Sequence, residues 1–148
     1  MKFASTKTYG HEIGLSACFR QWRAESHCRF LHGYALSVKF EFHADRLDKN
    51  SWVVDFGSMK SLKEWLQQVF DHKLLVAHDD PGINELMQLT RLGLAEVVVI
   101  EATGCEAFAK IIFDYATTWL ESHYDDRVRL HSVEVREHGA NSAIYMRP

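Results

Sequence analysis

The feature that most constrains the fold is residues 34–44, where Tyr34, Leu36, Val38, Phe40 and Phe42 alternate with Ala35, Ser37, Lys39, Glu41 and His43. A period of two sends successive side chains to opposite faces of a strand, so this run predicts a sheet with one buried face and one polar face. That apolar face has to be covered, and two stretches have the periodicity to cover it. Within residues 58–70, Met59, Leu62, Leu66, Val69 and Phe70 recur at three- and four-residue spacing and form the stripe of an amphipathic helix. Within residues 105–122, Phe108, Ile111, Ile112, Tyr115, Trp119 and Leu120 do the same. Thr103, three residues before Glu106, reads as the capping box that opens this second helix.

The rest of the chain reads as further strands. Residues 3–9 and 15–20 are extended, split by His11-Glu12-Ile13-Gly14, and residues 95–100, 127–137 and 142–146 follow. In residues 127–137 the apolar phase changes: Val128 and Leu130 occupy even positions, Val133 and Val135 odd ones. A bulge near His131-Ser132 is therefore expected. Residues 84–92 form a short helix after the turn Asp79-Asp80-Pro81-Gly82. With two prolines, no repeat and no composition break, residues 1–148 read as one domain. The order of elements implies an α+β class, with helices on one face of an antiparallel sheet.

Charge and composition narrow the partners. A formal net charge of −3 supplies no basic field, which argues against nucleic acid as the main partner. No apolar run reaches the roughly 18 residues of a membrane span, and the first residues lack the apolar core of a signal peptide. Three cysteines, Cys18, Cys28 and Cys105, form no C-x-x-C pair and make a poor disulfide framework. The expectation is a cytoplasmic protein acting on a small molecule.

Nine histidines direct attention to metal or acid–base chemistry. The densest segment is Ser26-His27-Cys28-Arg29-Phe30-Leu31-His32-Gly33-Tyr34, immediately before the alternating strand. Cys28-x-x-x-His32-Gly33-Tyr34 resembles the C-x-x-x-H-G-H element of the 6-pyruvoyltetrahydropterin synthase / 6-carboxytetrahydropterin synthase family. Leu15-Ser16-Ala17-Cys18-Phe19 is similar to the end of that family's first strand. Val54-Asp55-Phe56-Gly57-Ser58-Met59-Lys60 resembles its V-D-F-x-x-L-K element, and Asp71-His72-Lys73-Leu74 its L-D-H-x-x-L element. Val133-Glu134-Val135-Arg136-Glu137 resembles its last long strand, while Thr103-Gly104-Cys105-Glu106-Ala107 meets its P-T-x-E-N helix start loosely. These elements follow the family's order and cover most of the chain.

The resemblance implies a proton-transfer set of Cys28, Asp71 and His72, with the Asp-His pair supplied by a neighbouring subunit. A thiolate beside an imidazolium is a capable base at neutral pH. Glu137 would accept two parallel hydrogen bonds from the amino and ring N–H groups of a pterin, with Glu106 assisting. Plainer roles stand beside these. Cys28 could be a small buried hydrophobe, Asp71-His72 a helix terminus, Glu106 only a cap, and Glu137 the partner of an arginine. Arg20, Arg23 and Arg29 concentrate guanidinium groups near the expected pocket, suited either to a triphosphate or to a solvated basic loop over Trp22.

The pattern breaks at zinc. The family's three histidine ligands fall here on Phe19, His32 and Tyr34, and one imidazole does not make a three-ligand site. Either His27, His32 and Cys28 rebuild a different site, or the domain works without metal. The resemblance further implies the tunnelling fold: a four-stranded antiparallel sheet with two helices on one face, joined edge to edge into a barrel as a trimer or hexamer. It implies a lyase acting on 7,8-dihydroneopterin triphosphate, in the manner of 6-carboxytetrahydropterin synthase of the 7-deazaguanine (queuosine) pathway or of 6-pyruvoyltetrahydropterin synthase. The alternative is a zinc-free homologue that binds a pterin or purine without turning it over.

Overall fold

The computed structural model describes residues 1–148. Strands β1 (Phe3–Tyr9), β2 (Leu15–Phe19) and β3 (His32–Ala44) lead into α1 (Lys60–Phe70), β4 (Lys73–Ala77), α2 (Ile83–Arg91) and β5 (Glu96–Ile100). The chain then continues through α3 (Cys105–His123), β6 (Val128–His138) and β7 (Asn141–Met146). The α+β class is as expected, but the sheet is larger than the resemblance implied. It has seven strands, in the order β5-β4-β2-β3-β6-β7, with β1 on β3.

The alternating run is the spine of this sheet. On one edge of β3, β2 pairs with its first part (Leu15↔Leu36 to Phe19↔His32) and β1 with its second (Tyr9↔Val38 to Phe3↔Ala44), both antiparallel. On the other edge β6 pairs from Ser37↔Arg136 to Ala44↔Val128. The register slips between Glu41↔Ser132 and Phe42↔Leu130, leaving His131 as the extra residue of a bulge where the phase change placed it.

Leu36, Val38, Phe40, Phe42 and Ala44 are completely buried and join a core of 28 residues. Burying a side chain such as Phe40 contributes about 1.5–3 kcal/mol. Two helices close this face. In α1, Leu62, Leu66 and Phe70 are buried four residues apart, and in α3 the buried stripe runs from Cys105 through Phe108, Ile112 and Ala116 to Leu120. Trp65 of α1 stacks on Tyr115 of α3 at 3.8 Å and 3°, and Trp119 Nε1 donates to Ser61 Oγ at 2.8 Å. Helix α1 starts at Lys60 because residues 56–58 form a 3-10 turn, with the Asp55 carboxylate accepting from the Gly57 N–H at 2.9 Å.

Strand β4 was not foreseen, and its burial explains why. It pairs in parallel with both β2 and β5, and Leu74, Leu75, Val76 and Ala77 are all buried. Leu75 belongs to the main core, whereas Leu74 lines a cavity on the opposite side with Leu89 of α2. A strand covered on both faces shows a continuous apolar run rather than alternation.

The turn between β4 and α2 is tied to the end of β2 by a charge pair. Arg20 Nε and Nη2 donate to the two Asp80 carboxylate oxygens at 2.8 and 2.6 Å, while Asp80 Oδ1 also accepts from the Gly82 N–H at 2.8 Å. Asp80 is only 2% exposed and Arg20 25%. The guanidinium, acting through this fork, holds the Asp80 carboxyl below its ordinary value. A depressed carboxyl stabilises the fold fully above the unfolded-state pKa of about 3.9, and loses that contribution as pH falls through the lowered folded value. Asp80→Asn is predicted to cost about 1.5–3 kcal/mol at pH 7, with the deficit shrinking below about pH 4, where the unfolded chain's carboxylate binds a proton that the folded one still refuses. Urea denaturation of both proteins at pH 7 and pH 3 measures this, and an equal deficit at both pH values would contradict it.

Candidate active site

The end of β2 and the start of β3 lie side by side, so Phe19 faces His32 across the ladder and Ala17 faces Tyr34. The loop between them folds back on itself. Gln21 N–H donates to the Cys28 carbonyl at 2.9 Å, and Ser26 caps the 3-10 turn His27–Arg29 by accepting the Cys28 N–H at 3.3 Å. Cys28 is thereby held beside the strand ends. The first turn of α3 closes the next wall. Its N-cap is Gly104, whose φ of 109° is a backbone conformation that favours glycine, and whose missing Cβ leaves room for the Gln21 side-chain amide. Thr103 does not form the expected capping box. Its hydroxyl donates to the Arg20 carbonyl at 2.7 Å, which leaves Glu106 free of that duty.

These walls and the β6–β7 hairpin enclose a cavity of about 420 Å³ lined by Phe19, Cys28, His32, Tyr34, Glu106 and Glu137 among others. Glu137 is steadied by Asn141 Nδ2, which donates to its Oε1 at 3.0 Å. The wall is anionic. Burial raises the Tyr34 phenol, with the Glu137 charge adding to it. Burial and then Glu137 and Glu106 push the Cys105 thiol up to about 11, so Cys105 stays protonated. Cys105, Gln21 and Asn141 were not singled out in the sequence. Only the pairing of His138 with Asn141 across the hairpin brings Asn141 to the site.

The three positions that the resemblance assigns to zinc do converge, but as an aromatic cluster. Phe19 lies 5.2 Å from His32 and 6.0 Å from Tyr34, ring centroid to centroid, and His32 lies 5.4 Å from Tyr34. Phe19 is 1% exposed and packs edge-on against Phe108 at 5.0 Å. Phenylalanine offers no donor atom, and the Tyr34 phenol is held protonated. His32 Nδ1 lies 2.7 Å from the Phe30 carbonyl oxygen, which can only accept, so Nδ1 is the donor. His27 is exposed and does not line the cavity. These residues do not fit a three-ligand zinc centre.

Asp71 and His72 stand apart from Cys28 within one chain. His72 leaves α1 in the left-handed region (φ 56°) and its N–H donates to the Ser16 carbonyl at 2.7 Å. Asp71 Oδ1 accepts from the Ser16 N–H at 3.1 Å and pairs with His72 Nδ1 at 2.8 Å. A carboxylate at a helix C-terminus opposes the helix dipole, so these two donors are what hold Asp71 in place. The His72 side chain is 83% exposed and borders a separate cavity of about 390 Å³ with Cys18, Leu31, Leu89 and Leu94.

The three arginines do not gather at the Cys28 cavity. Arg20 is engaged by Asp80. Arg23 pairs with Asp79 at 3.0 Å and lies over the Trp22 ring at 4.1 Å. Arg29 donates to the Glu25 carbonyl at 2.9 Å and covers the Phe30 ring. The acidic partners of Arg23 and Arg20 lie 56 and 60 residues away in the chain, too distant to be matched by reading the loop alone.

Comparison with known proteins agrees with this architecture. The 6-carboxy-5,6,7,8-tetrahydropterin synthase of Aquifex aeolicus is 26% identical over 134 residues, covering 82% of this chain and 83% of that protein. That of Rickettsia typhi is 37% identical over 62 residues, 41% and 45% of the two chains, so the chain spans about half the length of the Rickettsia relatives it matches. An uncharacterized protein from Wolinella succinogenes shares the fold at a TM-score of 0.82 and 19% identity, covering 99% and 98% of the two chains. A variant 6-pyruvoyltetrahydropterin synthase from Plasmodium vivax does so at 0.67 and 13%, over 99% of each. The model of the family described as 6-pyruvoyl tetrahydropterin synthase matches residues 10–148, and the chain belongs to that family.

Proposed function

We propose that the protein is a pterin-processing lyase of the 6-carboxytetrahydropterin synthase kind, acting on 7,8-dihydroneopterin triphosphate or a close pterin without a zinc ion at His32. The observation that carries this reading is the meeting of Cys28, His32, Glu106 and Glu137 around one cavity. Glu137, oriented by Asn141, accepts the paired N–H donors of the pterin's aminopyrimidine edge, and Glu106 adds negative charge on the same wall. Cys28 takes a proton from the substrate side chain, and the His32 ring borders the same space. Arg29, exposed on the Cys28 turn outside the cavity lining, is the guanidinium we assign to a phosphate arm reaching out of the cavity, since Arg20 and Arg23 are paired with Asp80 and Asp79.

Asp71 and His72 enter this scheme from a second copy of the chain. Leu31, Leu92, Leu94 and Val99 are large apolar side chains between 44% and 71% exposed, and Leu31 and Leu94 border the His72 cavity. An apolar rim beside an exposed Asp-His pair supports a homo-oligomer, a trimer or hexamer closing into a barrel, in which His72 of one copy meets Cys28 of the next. No helix is long and apolar enough to cross a membrane, and the three free thiols support a reducing, cytoplasmic setting.

The Phe19–His32–Tyr34 cluster favours the second reading, a zinc-free homologue that holds a pterin or purine without turnover. Cys28→Ala separates the two. General acid–base catalysis is worth about 10²–10⁴-fold. The variant should therefore lose turnover of 7,8-dihydroneopterin triphosphate by at least about 10²-fold, with pterin affinity unchanged, as read by mass spectrometry and fluorescence titration. Absence of product from the folded wild-type protein, with the pterin still bound, would transfer it to the binding class.

The zinc argument has its own test. Replacing Phe19 and Tyr34 together by histidine restores three imidazoles at converging positions. The double variant is predicted to bind one equivalent of zinc more than its parent in equilibrium dialysis. An unchanged stoichiometry would mean that the three positions are not aligned as a ligand set.

A further inference from the structure

The unburied face of β3 carries a second group of donor atoms, unrelated to the Cys28 cavity. Val38, Phe40, Phe42 and Ala44 point into the core, so Glu41 and His43 share the opposite face. The bulge in β6 adds His131 to them: as the extra residue between Leu130 and Ser132, it is released from the strict alternation that would turn it away. The His43 and His131 rings lie parallel, centroids 4.0 Å apart and 10° between planes. His43 Nε2 lies 2.7 Å from Glu41 Oε1. One donor atom from each of the three side chains falls within 4.8 Å of the others, and all three residues are half-buried.

The backbone beneath is rigid. β3 is paired on both edges here, with Thr6 of β1 opposite Glu41 and Ala4 opposite His43. His131 is pinned through its carbonyl, which accepts from the Arg147 N–H at 2.9 Å. Two imidazoles and one carboxylate are the His₂Glu donor set of open zinc sites. Donors at about 2.0–2.1 Å around a tetrahedral ion stand about 3.3 Å apart. Closing from the present separations is a matter of turning the two rings about their side-chain torsions. The cations on this face are Lys39 of β3 with Arg129 and Arg136 of β6, which stand opposite His43 and Ser37. These charges oppose any divalent ion alike, so the selection rests on the two nitrogen donors, which favour a zinc-class transition ion over calcium or magnesium, which want several oxygens.

We infer that Glu41, His43 and His131 form a divalent transition-metal site that clamps β3 to β6 at the bulge, separate from the pterin cavity. The probe is Zn²⁺ alone, titrated calorimetrically into chelator-treated full-length protein, with thermal unfolding recorded alongside. The wild type should bind one equivalent and melt at a higher temperature with zinc, as for any ion that binds only the folded state. His43→Gln and His131→Gln should each weaken binding by at least about tenfold and remove the thermal shift, while His32→Gln changes neither. Both glutamine variants keep a polar side chain of similar reach, and their melting curves without zinc report whether they fold. Failure of the folded wild type to take up zinc would overturn the inference, as would uptake that survives both substitutions or that His32→Gln abolishes.

Discussion

Strand β3 is the constraint on which the rest of the molecule depends. Its residues 36–44 present a fully buried apolar row, while three strands pair along its two edges. The buried row requires helices above it, and α1 and α3 supply them with their buried stripes. The first residues of the same strand deliver His32 and Tyr34 to the cavity, next to Phe19 on its paired neighbour. One element thus sets the core and the floor of the site. A register slip of one residue would turn Phe40 and Phe42 out to solvent and carry His32 away from Phe19.

What could be read from the sequence follows from which forces are local. The alternation of β3, the stripe of α1 and the bulge at His131 are periodicities, written in neighbouring residues. Strand β4 escaped because burial on both faces erases alternation, and Leu74-Leu75-Val76 has no phase to read. The capping box failed because the Thr103 hydroxyl found a stronger use at the Arg20 carbonyl, more than 80 residues away in the chain. The same holds for the arginines, whose acidic partners Asp79 and Asp80 enter from the β4–α2 turn. Asp71 and His72 were legible as a motif, but their separation from Cys28 within one chain follows from the topology, which sends them to the other side of β2.

The positions that converge to hold an ion in the resemblance converge here too, and they fill the space with rings in mutual contact. Such contacts are worth about 0.5–1.5 kcal/mol each beyond area burial, so the three side chains act here as packing. The acidic side of the cavity is retained, with Glu137 steadied by Asn141 and Glu106 freed from helix capping.

The most direct measurement is a crystal structure of the protein grown with a pterin and with zinc in solution, with diffraction recorded at the zinc absorption edge. The account predicts the pterin's aminopyrimidine edge on the Glu137 carboxylate, against the Phe19–His32–Tyr34 cluster, and no anomalous peak within bonding distance of His32. Zinc bound to His32 inside this cavity, or a pterin lodged away from Glu137, would contradict it.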